Sequence, residues 1–251
     1  MLLLQGQANS HQWWRRVRPL LTGDFRTITF DYRGTGETAR RQSSVGVDPT
    51  PWTTRLFADD AAAVLAALGV DRALVYGTSM GGRVAQELAI NHPRLVERLV
   101  LCCTSPGGAL ARERSHEVRK ALADPDAARR HRSMVDLFNT PEWVAAQGGY
   151  DHAPRHLLGD RTMTPSDANR HLRMSGEHDA SDRLHLVEAS TLIVHAQGDR
   201  MAPVANAAAL HERLRGSELH VHPEGRHGFF DEFAQPVTDL VGAFLSRRAL
   251  R

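Results

Sequence analysis

Three residues of this chain could perform acyl-transfer chemistry together. Ser79 sits in Gly77-Thr78-Ser79-Met80-Gly81-Gly82, directly after the apolar run Ala73-Leu74-Val75-Tyr76. This is G-x-S-x-G at the junction of a strand and a helix. Such a turn holds its middle residue in a strained conformation and lifts its hydroxyl above the sheet. Gly77 and Gly81 flank it because a Cβ there would strike the neighbouring strand and the start of the helix. Asp199 follows the strand-like run Thr191-Leu192-Ile193-Val194-His195-Ala196, and His227 follows Glu218-Leu219-His220-Val221-His222. A serine hydroxyl is a weak nucleophile at neutral pH. A histidine within hydrogen-bond reach takes its proton, and a carboxylate fixes that histidine's tautomer and stabilises the imidazolium.

These groups need elements to position them. Strands and helices alternate through the first hundred residues, the pattern of a parallel sheet covered on both faces. Leu2–Leu4, Thr27–Asp31, Ala73–Tyr76 and Val96–Cys103 read as strands. His11–Leu21 reads as a helix with Trp13, Trp14, Val17 and Leu21 on it. In Leu56–Leu68, residues Phe57, Ala61, Val64, Leu65 and Leu68 share one face, and Gly69 ends the helix. After Glu188 the strand over 191–196, a helix over Val204–Leu214, the strand Glu218–His222 and a helix over Phe233–Leu245 complete the core.

From Ser105 to about Glu188 the alternation ceases. Short helices are expected over Leu110–Ala123, Asp126–Phe138, Pro141–Gln147 and Pro165–Ser175, with prolines as breaks. So long a stretch is not a structureless loop. The chain therefore divides into a core, 1–104 with 189–251, and a helical cap, 105–188. Met134, Phe138, Trp143 and Met174 are candidates to line a substrate pocket from the cap, and Phe229 from the core. A methionine or aromatic at helical spacing also packs into a core.

The 251 residues carry 31 basic and 29 acidic side chains, a net charge of +2, and 41% are hydrophobic. That suits one α/β domain with an insertion. No block of like charge points to a nucleic-acid or membrane partner. Cys102 and Cys103 are adjacent in a strand and face opposite sides, so they read as two buried thiols in a reducing, cytoplasmic setting. Met1-Leu2-Leu3-Leu4 is too short for a signal-peptide core. No spacing suggests metal ligands or a cofactor.

With the order Ser79, Asp199, His227, the whole chain resembles the α/β-hydrolase superfamily, and most closely its soluble bacterial esterase and enol-lactonase group. The segments that carry the resemblance are Phe30-Asp31-Tyr32-Arg33-Gly34-Thr35-Gly36-Glu37-Thr38, Tyr76-Gly77-Thr78-Ser79-Met80-Gly81-Gly82, Gly198-Asp199-Arg200-Met201-Ala202-Pro203 and Gly225-Arg226-His227-Gly228. The resemblance implies a mostly parallel, doubly wound α/β sheet with a helical cap between its sixth and seventh strands. It assigns Ser79 as nucleophile, His227 as base then acid, and Asp199 as the orienting acid. It places oxyanion donors at the backbone N–H groups of Gln7 and Met80, although Gln5-Gly6-Gln7 stands where relatives read His-Gly.

The implied reaction is hydrolysis of a small or medium carboxylic ester or lactone. A serine nucleophile disfavours dehalogenase and epoxide-hydrolase chemistry. Phe229 after Gly228 disfavours the carbon–carbon hydrolases, which carry Trp just after the histidine. Perhydrolase or cofactor-free haloperoxidase activity uses the same three residues and stays open. So does a non-catalytic small-molecule binder. Relatives have two further strands before Leu2. Their lack would leave Thr27–Asp31 at a sheet edge, for which a homo-oligomer or a neighbouring segment of the chain is the expected cover.

Overall fold

The computed structural model describes residues 1–42 and 50–247. Five parallel strands, β1 (Leu2–Leu4), β2 (Ala73–Thr78), β3 (Val96–Cys102), β4 (Ser190–Ala196) and β5 (Glu218–His222), form one sheet in chain order. The helices are α1 (Arg18–Leu21), α2 (Gly36–Gln42), α3 (Thr54–Ala67), α4 (Met80–Asn91), α5 (His116–Leu122), α6 (Ala127–Phe138), α7 (Pro141–Ala146), α8 (Pro165–Gly176), α9 (Ala205–Arg213), α10 (Phe229–Glu232) and α11 (Ala234–Leu245).

Strand alternation divides the core between two faces. Leu2, Leu4, Val75, Leu99, Leu101 and Ile193 pack with Phe57 and Leu65 of α3, Val84 and Leu88 of α4, and Leu210 of α9. Leu3, Tyr76, Val100, Cys102, Leu192 and Val194 pack with Trp13, Trp14, Phe229 and Phe230, and with Val241 and Phe244 of α11. The central strands carry apolar side chains on both faces because helices cover both. Each large side chain so buried contributes about 1.5–3 kcal/mol of transfer free energy.

Several helices begin where a side chain satisfies a free N–H. Thr53 caps α3 by accepting from Leu56 N–H at 3.0 Å. Asp126 accepts from Ala128 and Arg129 at 2.9 Å each, Thr140 from Trp143, and Thr164 from Asp167. Gly69, at φ +65°, ends α3.

Three elements differ from the sequence-based expectation. The helix expected over His11–Leu21 is a 3-10 turn, His11–Trp14, followed by the short α1. Pro19 explains the break: it lacks an N–H and fits only at a helix start. The helix expected from Leu110 begins instead at His116, capped by Ser115. The strand expected over Thr27–Asp31 is reduced to one parallel bridge, Leu2 to Ile28. The Leu3 N–H bonds Ile28 O at 3.0 Å, and the Gln5 side chain takes Phe30 O at 2.8 Å. That amide occupies the carbonyl a continuing ladder would use. The sequence reading also passed over α2 and α10, short helices of seven and four residues.

Candidate active site

Ser79 stands between β2 and α4 with φ +53° and ψ −121°, a conformation few side chains adopt. The glycines beside it permit the turn. A Cβ on Gly81 would lie 2.0 Å from Leu4 O, and one on Gly77 would lie 2.4 Å from Gly81 O. Backbone bonds hold the serine: its N–H donates to Cys102 O at 2.9 Å, and Thr104 Oγ1 donates to its carbonyl at 2.7 Å.

His227 Nε2 lies 3.0 Å from Ser79 Oγ, and His227 Nδ1 lies 2.8 Å from Asp199 Oδ2. The sequence-predicted Ser79, Asp199 and His227 are thus brought into one chain of hydrogen bonds. Asp199 follows β4, and its Oδ1 accepts from Met201 and Ala202 N–H at 2.8 Å each. His195 adds a second imidazole, with Nε2 at 2.7 Å from Ala202 O and 3.4 Å from Asp199 Oδ2. Burial alone would push the Asp199 carboxyl up. The charge of His227 and the bonds from His195 and His227 outweigh it and hold the group well below the usual carboxylate range. His227 itself is tied to α6: its N–H donates to Leu137 O at 3.1 Å, and Phe138 stands edge-on to its ring with centroids 5.0 Å apart.

Gln7 lines the cavity over Ser79, and Met80 follows the serine as the first residue of α4. Neither backbone N–H has an acceptor within the protein among the described residues. The Gln7 loop is braced. Ala8 takes φ +56°, its N–H donates to His171 Nδ1 at 3.2 Å, and its carbonyl accepts from Asp160 N–H at 2.7 Å. Asn9 donates to Gln7 O at 2.7 Å and accepts from Gly159 N–H at 3.0 Å. His171 Nε2 lies 2.8 Å from Arg33 O. Burial lowers His171 from 6.5 to about 4, so it is neutral, with Nδ1 accepting and Nε2–H donating. Sequence reasoning missed His171. It is one of 14 histidines, and nothing local marks it.

A cavity of about 280 Å³ opens over Ser79 and His227. Met134 and Phe138 line it, as the sequence suggested. The other three candidates lie elsewhere. Trp143 sits on α7 against the small Val135, Val144 and Ala153 cluster, with Arg16 over its ring. Met174 is 1% exposed within the larger core cluster, because the apolar side of α8 turns to α3 and α4. Phe229, the first residue of α10, is fully buried and stands against His222, outside the cavity lining. Trp13, Leu157, Leu158, Leu172, Met201 and Arg114 line the cavity instead. Trp13 and Leu172 fall on expected helices without a sign of which neighbour they meet, Leu157, Leu158 and Met201 lie in turns or bends with no period, and Arg114 is one of many arginines. Among the described residues no cluster of His, Cys, Asp or Glu could hold a metal, and no helix is long and apolar enough to cross a membrane.

A family model described as the alpha/beta hydrolase fold matches residues 1–234. A Caulobacter sp. (strain K31) protein named as a candidate carbamate hydrolase, RutD, is 27% identical over 254 residues, covering 99% of this chain and 91% of that protein. The solved enol-lactonase of Burkholderia xenovorans LB400 superposes with a TM-score of 0.76 at 19% identity, over 98% of this chain and 90% of its own. A candidate non-haem bromoperoxidase of Mycobacterium tuberculosis H37Rv, BpoC, superposes with a TM-score of 0.78 at 20% identity, over 99% and 92%. At these identities the two structures establish a shared fold.

Proposed function

The chain belongs to the alpha/beta hydrolase fold family, and on that premise we propose that it is a serine hydrolase cleaving a small or medium carboxylic ester or lactone through an acyl-enzyme. One observation carries the reading: the unbroken Ser79–His227–Asp199 relay, at 3.0 and 2.8 Å, with its serine open to a cavity. His227 takes the Ser79 proton as the oxygen attacks the substrate carbonyl. Asp199, ionised and fully hydrogen-bonded, balances the imidazolium that forms. The unused N–H groups of Gln7 and Met80 receive the developing oxyanion. His227 then protonates the leaving oxygen, and water, deprotonated by the same ring, releases the acid. The cavity, near the lower end of the ligand-pocket range of about 300–1,000 Å³, suits a modest acyl group.

Carbamate cleavage is the second reading, supported by the relative named for it at 27% identity. The same relay would attack a carbamate carbonyl. A panel of 4-nitrophenyl esters graded by acyl length, with lactones and an aryl carbamate beside them, separates the two. Ester or lactone turnover with a nitrophenol burst is the expected result. Turnover of the carbamate alone would favour the second reading, and turnover of none would count against both.

A further inference from the structure

The cavity over Ser79 continues into a second hollow of about 370 Å³, with Gln7, Arg114, Leu122 and Leu172 shared between the two walls. The second hollow adds Arg83, Arg119 and Glu113. Its cations are poorly matched. Among the described residues, the half-buried Arg114 guanidinium makes one hydrogen bond, to the Met201 thioether at 3.1 Å, and no ion pair. A thioether is a weak acceptor, and a guanidinium has five N–H donors. Arg83, one turn after Ser79, donates only to neutral groups: the Ser175 carbonyl, Ser175 Oγ at 2.9 Å and Ser105 Oγ at 3.0 Å. Burial pulls both arginines below their usual range, Arg83 to about 10, and the Arg114 charge lowers Arg83 further. The carboxylates that act on them through space are exposed Glu113, on both, and Asp199, on Arg114, and neither forms an ion pair with either arginine.

The position is built, not loose. Arg112 N–H donates to Asn206 Oδ1 at 2.7 Å, and Asn206 Nδ2 donates back to Arg112 O at 2.9 Å. Ser115 caps α5 on the other side. Arg114 is therefore carried on a segment fixed at both ends. Holding unpaired cations beside a cavity costs free energy that a bound anion would offset.

We propose that this hollow receives a carboxylate of the substrate, so that the molecules cleaved at Ser79 are acid-bearing esters or lactones, with Arg114 as the principal specificity residue and Arg83 behind it. The proposal rests on Ser79 being the nucleophile, and its test has a binding arm that does not. In the first arm, kcat/KM is compared for the 4-nitrophenyl monoester of glutaric acid and for 4-nitrophenyl valerate, in wild type, Arg114→Met and Arg114→Lys. Wild type should favour the acid-bearing ester. The ratio should fall about tenfold or more in Arg114→Met, through KM, and recover in part in Arg114→Lys. In the second arm, glutarate and neutral glutaramide are titrated calorimetrically into wild type, Ser79→Ala and Arg114→Met. Glutarate should bind the first two and not the third. A wild-type preference for valerate, an unchanged ratio in Arg114→Met, or no glutarate binding by wild type would overturn the proposal. Arg114-dependent glutarate binding with no cleavage of either ester would leave the anion site standing and remove the assignment of Ser79.

Discussion

At the carboxyl ends of β2 and β4, and in the turn after β5, the three groups proposed to react are held by backbone. Ser79 is fixed by a strained turn and glycine contacts, Asp199 by two N–H groups, and His227 by the carbonyl of Leu137. Across the cavity, residues 105–188 build the wall from short capped helices and connecting turns. There the cavity is lined by side chains, among them Met134, Phe138, Leu157 and Arg114. In the first region backbone packing leaves no room for a larger residue at Gly77 or Gly81, whereas in the second lining side chains such as Met134 touch neither Ser79 nor His227 through a hydrogen bond. The two also meet, since α6 positions His227 and His171 of α8 braces the Gln7 loop. The division between chemistry and selectivity is therefore not a clean division between sheet and insertion.

The largest expected effect tests the sheet side. Ser79→Ala should lose about 10³-fold or more in turnover while staying folded, because alanine fills the same backbone site. Near-wild-type turnover at matched folding would remove the assignment. Gly81→Ala should cost about 3 kcal/mol of stability, since its Cβ would press on the backbone of β1 rather than on a flexible side chain. Urea unfolding reads this directly, and an unchanged midpoint would show that the turn relaxes more easily than its contacts imply.

The bridge between the regions is tested at His171. His171→Leu removes the acceptor for Ala8 N–H and should lower turnover about tenfold, with His171→Gln restoring part of it. His171 also marks acid sensitivity. Burial lowers its folded value from 6.5 to about 4, and that of His178 from 6.5 to about 3. Below pH 6.5 the unfolded chain binds these protons and the folded one does not. The stability each neutral ring contributes is complete above pH 6.5 and is lost as pH falls toward the folded value, at up to about 1.4 kcal/mol per pH unit. Urea midpoints between pH 7 and 4.5 should fall steeply in wild type and less steeply in His171→Gln. Parallel slopes would show that His171 does not contribute. The wall itself is tested at Met134, with an effect on preference and not on the relay. Met134→Trp should shift acyl-length preference about tenfold toward short chains, whereas Trp143→Ala, away from the cavity, should leave that preference alone. A shift in the second variant and none in the first would reverse the placement of the wall.

What was legible in the sequence follows the same boundary. Gly77, Ser79 and Gly81 leave a mark because a strained turn with close backbone approach admits few residue types. The apolar strand runs mark the sheet, and their spacing places Asp199 and His227 after it. Proline breaks placed the helices over 126–138, 141–147 and 165–175 to within a residue or so, whereas the start expected at Leu110 lies at His116. Helical periodicity reveals that Met174 and Trp143 are on an apolar side, but not which neighbour that side meets. Leu157 and Leu158 reach the cavity from a turn with no period at all. The pairing of Ala8 with His171, 163 positions apart, exists only once the chain has folded.

The central claim is that Ser79 is an activated nucleophile, and covalent labelling tests it most directly. Wild type and Ser79→Ala, both checked for native folding, are treated with a fluorophosphonate at neutral pH and read by intact mass. Wild type should gain one phosphonyl adduct, located by peptide mapping at Ser79, and Ser79→Ala should gain none. An unlabelled wild type, or equal labelling of both proteins, would contradict the relay as the source of reactivity.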